Sequence, residues 1–146
     1  MDLPIHLIVG SEQGNTEYLA NELSDLLSSY DHQVTCHEQP QYGDIPRQDC
    51  IWIVITATFG AGEYPANIQP FVNDLTKNQP NLNAVEYAVI AVGDKSYDTF
   101  CQSGRDIDDL LAKFGAKKQY DRLEMCVNEH NDPLLPAFEW IQNWLH

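Results

Sequence analysis

The chain has 146 residues, 43% of them hydrophobic, and its 22 acidic and 8 basic residues give a formal net charge of −14 at pH 7. This length predicts one domain over residues 1–146, and the charge argues against nucleic acids and anionic membranes as partners. Two explanations of this charge remain open: it keeps the protein soluble, or it steers the protein toward basic partners. The four cysteines form no CxxC pair and the five histidines show no ligand spacing, which disfavours structural metals and a disulfide framework. We expect the histidines other than His6 at the surface.

The sequence shows neither the pattern of a signal peptide nor that of a membrane span. Residues 1–4 lack the basic region and the long apolar run of a signal peptide. No segment approaches the roughly 18 apolar residues that a membrane span requires. We therefore expect a cytoplasmic protein that does not interact with membranes.

The N-terminal stretch predicts a strand, a polar loop and a helix within the first twenty residues. Residues 5–10 favour a strand that ends at Gly10, and the loop that follows is Ser11-Glu-Gln-Gly-Asn-Thr16. Apolar residues then recur at spacings of three and four, which predicts a helix that starts near Thr16. Small residues and a helix N-terminus beyond the carboxyl end of a strand favour an anion site. The loop contains no Lys or Arg, so amides and hydroxyls would hold a phosphate.

Three competing interpretations of a phosphate site in this fold fail. A Walker A motif requires a lysine directly after its last glycine, but Asn15 follows Gly14 here. A dinucleotide-binding motif requires a second glycine at the position of Glu12. A response regulator requires an aspartate at the end of the third strand, which reads Thr-Ala-Thr over residues 56–58. A terminal phosphate monoester remains, and we expect the Glu12 side chain to turn away from it.

The rest of the chain alternates between strands and helices. The strands are predicted at residues 34–36, 50–57, 87–92 and 119–127, and the helices carry apolar faces that include Phe71, Leu110 and Phe138. Residues 39–49 read as a loop with one helical turn at most. Five strands that alternate with four or five helices predict an α/β fold, a doubly wound parallel sheet of order 2-1-3-4-5 with helices on both faces. That order brings the loops after strands 1, 3 and 4 to one edge.

The second and third of these loops carry aromatic residues. Phe59 lies between Thr58 and Gly60, and Tyr97 follows residues 93–96. Two rings at one sheet edge could enclose a planar ligand, each contributing about 0.5–1.5 kcal/mol beyond burial. Taken singly, each ring would more often pack its loop against the sheet. The phosphate loop at the same edge favours a ligand.

The three loops resemble the FMN-binding loops of flavodoxins, with the closest likeness to the small MioC-type flavoproteins and the FMN domains of diflavin reductases. The likeness covers nearly the whole chain, and the three loops occur in the right order at the right strand ends. The residues that the resemblance implies for FMN binding are Ser11, Glu12, Gln13, Gly14, Asn15 and Thr16 in the first loop, Thr58, Phe59, Gly60, Ala61 and Gly62 in the second, and Gly93, Asp94, Tyr97, Phe100 and Cys101 in the third.

The resemblance also implies a role for each loop. The first loop would hold the FMN phosphate, the second would cover one side and the edge of the isoalloxazine ring, and Tyr97 would stack on the other face. Phe59 stands where diflavin-type loops often carry tyrosine, and Ala61 replaces an acidic residue, so we expect less negative charge near the ring. Cys101 has a simpler interpretation as a small buried residue at a helix start.

The resemblance implies a one-electron carrier without catalytic residues of its own or a metal. Its partners would be basic-surfaced redox proteins, a flavin reductase as donor and a metalloenzyme as acceptor, met by a monomer in weak encounters. Two alternatives remain. The protein could be an FMN reductase that oxidises NAD(P)H itself, although Tyr97 would occupy the necessary face of the ring. It could also be an interaction module without FMN, which the intact loops disfavour.

Overall fold

The computed structural model describes residues 3–11, 15–58, 62–93, 101–126 and 134–145. The strands are β1 (Ile5–Gly10), β2 (Val34–His37), β3 (Cys50–Ala57), β4 (Val85–Gly93), β5 (Lys117–Lys118) and β6 (Leu123–Cys126), and the helices are α1 (Asn15–Ser29), α2 (Gln69–Asn78), α3 (Gln102–Lys113) and α4 (Leu134–Gln142). One turn of 3₁₀ helix, Tyr42–Asp44, interrupts the connection between β2 and β3. Within the described part of the chain, no helix is both long and apolar enough to cross a bilayer.

All strand pairs in the sheet are parallel, in the order β2-β1-β3-β4, with β5 and β6 both paired to the outer side of β4. The predicted order 2-1-3-4-5 is therefore confirmed. The single last strand predicted over residues 119–127 is wrong, because the fifth position is divided into two short strands. Between them, the Asp121 carbonyl accepts a hydrogen bond from the Trp140 indole at 2.8 Å instead of joining the ladder.

The two faces of the sheet bury separate apolar clusters, which explains why the central strands are apolar without alternation. Leu7 and Ile53 belong to the cluster that α1 and α4 cover. Ile8 and Trp52 belong to the opposite cluster, which α2 and α3 cover. All four side chains are completely buried, and each contributes about 1.5–3 kcal/mol relative to exposure. The sheet is thus packed on both faces and holds the strand ends, from which the loops start, in fixed positions.

Helix α3 lies unusually close to β4 at Gly104. A Cβ atom at this position would overlap the Ala91 Cβ and lie 3.0 Å from the Ala91 Cα. The absence of a side chain therefore sets the distance between the helix and the sheet. Because α3 begins immediately after the third loop, this contact also fixes the point at which that loop ends.

A buried carboxylate ties the same helix to β4 and to the short strands beside it. Asp108 in α3 is 2% exposed and accepts a hydrogen bond from the Tyr87 hydroxyl at 2.6 Å. Its other oxygen pairs with Arg122 at 2.5 Å and Lys118 at 3.2 Å. Burial raises the pKa of Tyr87, and the hydrogen bond to Asp108 raises it further. The Tyr87 hydroxyl therefore remains protonated and acts as a donor.

Glu124 in β6 joins this network to a third cation, Arg105. Arg105 binds both of its oxygens, at 2.7 and 2.8 Å, and Arg122 donates to one of them at 2.9 Å. The hydrogen bond from Arg105 is the main reason that the pKa of Glu124 is lowered to about 2. Glu124 therefore stays ionised well below its ordinary range and keeps both guanidinium groups in place.

Two histidines meet between β1 and β2. His6 Nδ1 lies 2.9 Å from His37 Nε2, and the stacked rings are 5.2 Å apart between centroids. His32 and His37 are both partly buried, so the expectation that they lie on the surface is wrong, and His130 and His146 lie outside the described residues. Burial lowers the pKa of the His6 and His37 side chains from 6.5, and for His6 the neighbouring His37 adds to the effect. The pair is therefore most stable when it is uncharged.

We expect the free energy of unfolding to fall as the pH drops below about 6.5. The unfolded chain takes up protons at the ordinary histidine pKa, whereas the folded pair resists them, so acid favours unfolding. Urea unfolding at a series of pH values measures this slope. Replacing His37 with glutamine removes one titrating ring and should flatten the slope, while identical slopes in the two proteins would contradict the assignment.

Candidate functional site

The carboxyl ends of three neighbouring strands lie side by side. Gly10 of β1 pairs with Thr56 of β3, and Ala57 of β3 pairs with Val92 of β4. The loops that follow therefore begin at adjacent points, about 5 Å apart from strand to strand. The strand order changes direction between β1 and β3, and doubly wound sheets bind ligands outside such a point.

The structure describes the placement of only part of the predicted site. The described site residues are Ser11, Asn15, Thr16, Thr58, Gly62, Gly93 and Cys101. The predicted site residues that lie outside the described part of the chain are Glu12, Gln13, Gly14, Phe59, Gly60, Ala61, Asp94, Tyr97 and Phe100. The described residues from all three loops lie at the same edge of the sheet.

The residues on either side of the first loop are closely packed. Ser11 is 7% exposed and Thr16, in the first turn of α1, is 4% exposed. A Cβ atom at Gly10 would overlap the Thr56 hydroxyl and lie 3.1 Å from the Ile68 Cγ2, so only glycine fits here. Helix α1 has 15 residues and begins at Asn15, which brings the positive end of its dipole to this loop. The arrangement suits an anion held by neutral donors.

The second loop is held at both ends by one residue of α3. The Ser103 backbone N–H donates to the Thr58 hydroxyl at 3.1 Å, and the Ser103 hydroxyl donates to the Glu63 carbonyl at 2.7 Å. Ser103 is completely buried, so water does not compete for these bonds. Gly62 adopts φ +103°, a conformation that favours glycine. Sequence reasoning did not identify Ser103, because nothing in its own helix marks it as a partner of a loop 40 residues away.

Cys101 lies where the third loop meets α3. It caps the helix with φ +57°, and its buried thiol donates to the Ala91 carbonyl at 3.3 Å. Burial, with a smaller contribution from Glu124, raises the pKa of the Cys101 thiol to about 12. A thiol with this pKa is protonated at neutral pH and is a poor nucleophile. These properties agree with the interpretation of Cys101 as a small buried residue at a helix start.

A further residue that sequence reasoning missed is Asn67, in the segment between the second loop and α2. Its side-chain oxygen accepts a hydrogen bond from the Ser11 N–H at 2.9 Å. Its side-chain nitrogen donates to the Val9 carbonyl at 2.8 Å and to the Glu38 carbonyl at 2.9 Å. These partners are 58 and 29 residues away in sequence, and Asn67 belongs to no local pattern that would indicate them.

The surroundings of the second loop are acidic. Burial raises the pKa of Tyr64, and the charges of Asp106 and Asp109 raise it further. Glu63 is exposed beside it. In the part of the chain that the structure covers, no three His, Cys, Asp or Glu side chains are grouped as metal ligands. The described side chains therefore combine hydroxyls, small residues and negative charge at this edge.

Comparison with known proteins gives consistent matches over nearly the whole chain. Residues 7–141 match the family model described as Flavodoxin. The chain is 35% identical over 142 residues to Protein MioC of Escherichia coli strain K12, which covers 97% of this chain and 96% of that protein. It is 34% identical over 144 residues to Flavodoxin YqcA of the same strain, with 96% and 95% covered. The solved structure of a C101S mutant of flavodoxin from Pseudomonas aeruginosa has a TM-score of 0.88 at 25% identity and covers 97% of this chain and 95% of its own.

Proposed function

The chain belongs to the flavodoxin family, whose members bind FMN, and from this premise we propose that it carries single electrons from a flavin reductase to a metalloenzyme. FMN supplies the redox chemistry when it is bound, and the protein supplies binding, orientation and electrostatics. We propose that the protein works as a monomer in the cytoplasm. The observation that carries the proposal is the meeting of three loops at the strand ends, with hydroxyl and small side chains facing one edge.

The first loop and α1 fit the phosphate end of FMN. Ser11, directly after β1, and Thr16, in the first turn of α1, are both buried. N–H groups and the dipole at the start of α1 favour a negative group. The loop has no cationic side chain, so neutral donors would hold the phosphate. We assign Gln13 and Asn15 to the same role on the basis of the family resemblance.

The second and third loops fit the ring of FMN. Thr58 and Gly62 bound the second loop, and Gly93 ends the strand from which the third loop departs. We propose that Phe59 covers one face of the ring and that Tyr97 stacks on the other. Both loops are anchored to α3 and β4, which limits their freedom on the side away from the ligand.

The charge of the protein favours basic partners. Three of its 8 basic residues, Arg105, Lys118 and Arg122, are already paired with Asp108 or Glu124. The surface field is therefore strongly negative, which steers a basic protein toward it and weakens the encounter as salt is added. Negative charge near the ring also disfavours the negatively charged reduced form and lowers its potential.

A steady-state assay separates this proposal from the alternative of an FMN reductase. We expect the FMN-loaded protein alone to leave NADPH unoxidised under anaerobic conditions, and to become reduced once a catalytic amount of an NADPH-dependent flavin reductase is added. The rate of reduction should fall with increasing salt, because the encounter is electrostatic. NADPH oxidation by the protein alone would contradict the carrier proposal and favour the reductase.

A further inference from the structure

One side chain outside the three loops connects the start of the phosphate loop to two other parts of the chain. Asn67 follows the second loop, yet its amide binds the backbone on both sides of Gly10 and the segment after β2. Both N–H groups of the amide and its oxygen are used in these bonds. A carboxylate could not donate to the two carbonyls, and an apolar side chain would leave all three backbone groups without this partner.

These bonds determine how the chain leaves β1. Val9 and Ser11 flank Gly10, so the Asn67 amide holds the carbonyl before Gly10 and the N–H after it. Gly10 itself packs against the Thr56 hydroxyl and Ile68, which prevents its backbone from moving toward β3. Together the contacts fix the first peptide of the loop in one orientation, independently of any ligand.

We propose that Asn67 is a positioning residue for the FMN phosphate. It does not touch the cofactor, but it holds Ser11, the first residue of the phosphate loop, in one orientation before FMN arrives. A loop whose first peptide is already fixed loses less conformational freedom on binding, which increases affinity. The inference rests on the proposed function, because it places the phosphate in the first loop.

The test compares FMN with riboflavin, which has the same ring and lacks the phosphate. Binding of both is measured by flavin fluorescence quenching in the apoproteins of the wild type and of the variant N67A, after circular dichroism has shown that each is folded. We expect FMN affinity to fall roughly ten- to hundredfold in N67A, because the Val9 carbonyl and the Ser11 N–H lose their hydrogen bonds to the Asn67 amide. Riboflavin affinity should fall less than about threefold, because the second and third loops keep their own anchors.

Two further variants complete the experiment. N67S can retain one hydrogen bond, so it should lose FMN affinity selectively but to a smaller extent, and it serves if N67A does not fold. N78A is the matched control, because the Asn78 side chain is exposed and binds only the Asp74 carbonyl of its own helix among the described contacts. It should leave both affinities unchanged.

The outcomes distinguish the placement of the phosphate in the first loop from the role of Asn67. A wild-type protein that binds FMN and riboflavin equally well would overturn the placement of the phosphate in the first loop. A wild type that prefers FMN, together with an N67A or N67S variant that keeps the same preference, would overturn only the role of Asn67. A parallel loss of FMN and riboflavin affinity would also overturn it, because general loosening of the fold affects both ligands.

Discussion

Replacement of Asp108 by alanine is expected to lower the free energy of unfolding by about 2–4 kcal/mol. Asp108 is 2% exposed and binds the Tyr87 hydroxyl, Arg122 and Lys118. Its loss removes the shorter of the two hydrogen bonds that the Tyr87 hydroxyl donates and leaves only the one to the backbone carbonyl of residue 108, at 3.2 Å. It also takes one counterion from each of two cations, of which Arg122 still has Glu124. Urea-induced unfolding, followed by tryptophan fluorescence, measures the change. The cost arises from the groups that remain, so it exceeds the net value of the pair itself.

Asp109 provides the matched control for this prediction. It is the next residue of α3, is exposed, and carries the same charge. Its replacement by alanine reduces the net negative charge and improves helix propensity by the same amounts, but it should change stability by no more than about 0.5 kcal/mol. Equal effects of the two substitutions would show that the buried network does not stabilise the fold.

Replacement of Gly104 by alanine is expected to destabilise the protein by about 1–3 kcal/mol. In an exposed helix the same change would stabilise by up to about 1 kcal/mol, so the sign itself is informative. The added methyl group would overlap the Ala91 side chain and approach the β4 backbone, which forces α3 away from the sheet. Thermal and urea unfolding measure the effect, and FMN affinity should fall as well because Ser103 holds the second loop from the same helix.

A second substitution tests the cause of that loss. Replacing Ala91 with glycine removes the atom that the new methyl group meets, so the double variant should recover part of the lost stability. Gly43 gives the control for a glycine-to-alanine change, because nothing lies within 4 Å of a Cβ built there. If the single Gly104 variant were as stable as the wild type, the close contact between α3 and β4 would not limit the fold.

The sheet and the edge that holds the site could be predicted because both depend on local patterns. Apolar runs such as residues 50–57 indicate central strands, and strand alternation with helices indicates parallel order. The loops then follow from the strand ends. The division of the last strand could not be predicted in this way, since it depends on a hydrogen bond from Trp140 in α4 to a carbonyl 19 residues earlier.

The residues that hold the loops in place were missed for the same reason. Asn67 and Ser103 act through side-chain bonds to loops that are distant in sequence, and no spacing rule connects such partners. His37 was expected at the surface because its partner His6 comes from another strand. Composition identifies candidate binding loops more readily than the side chains that support those loops.

The absorption spectrum of the purified protein, followed by a titration with FMN, is the direct test of whether the three loops bind FMN. We predict a yellow protein, or an apoprotein that quenches FMN fluorescence in proportion until one FMN is bound per chain. Either result would establish that the three loops form a flavin site. A colourless protein that leaves FMN fluorescence unchanged would contradict the account, and the loops would then have to be explained as parts of a fold without a cofactor.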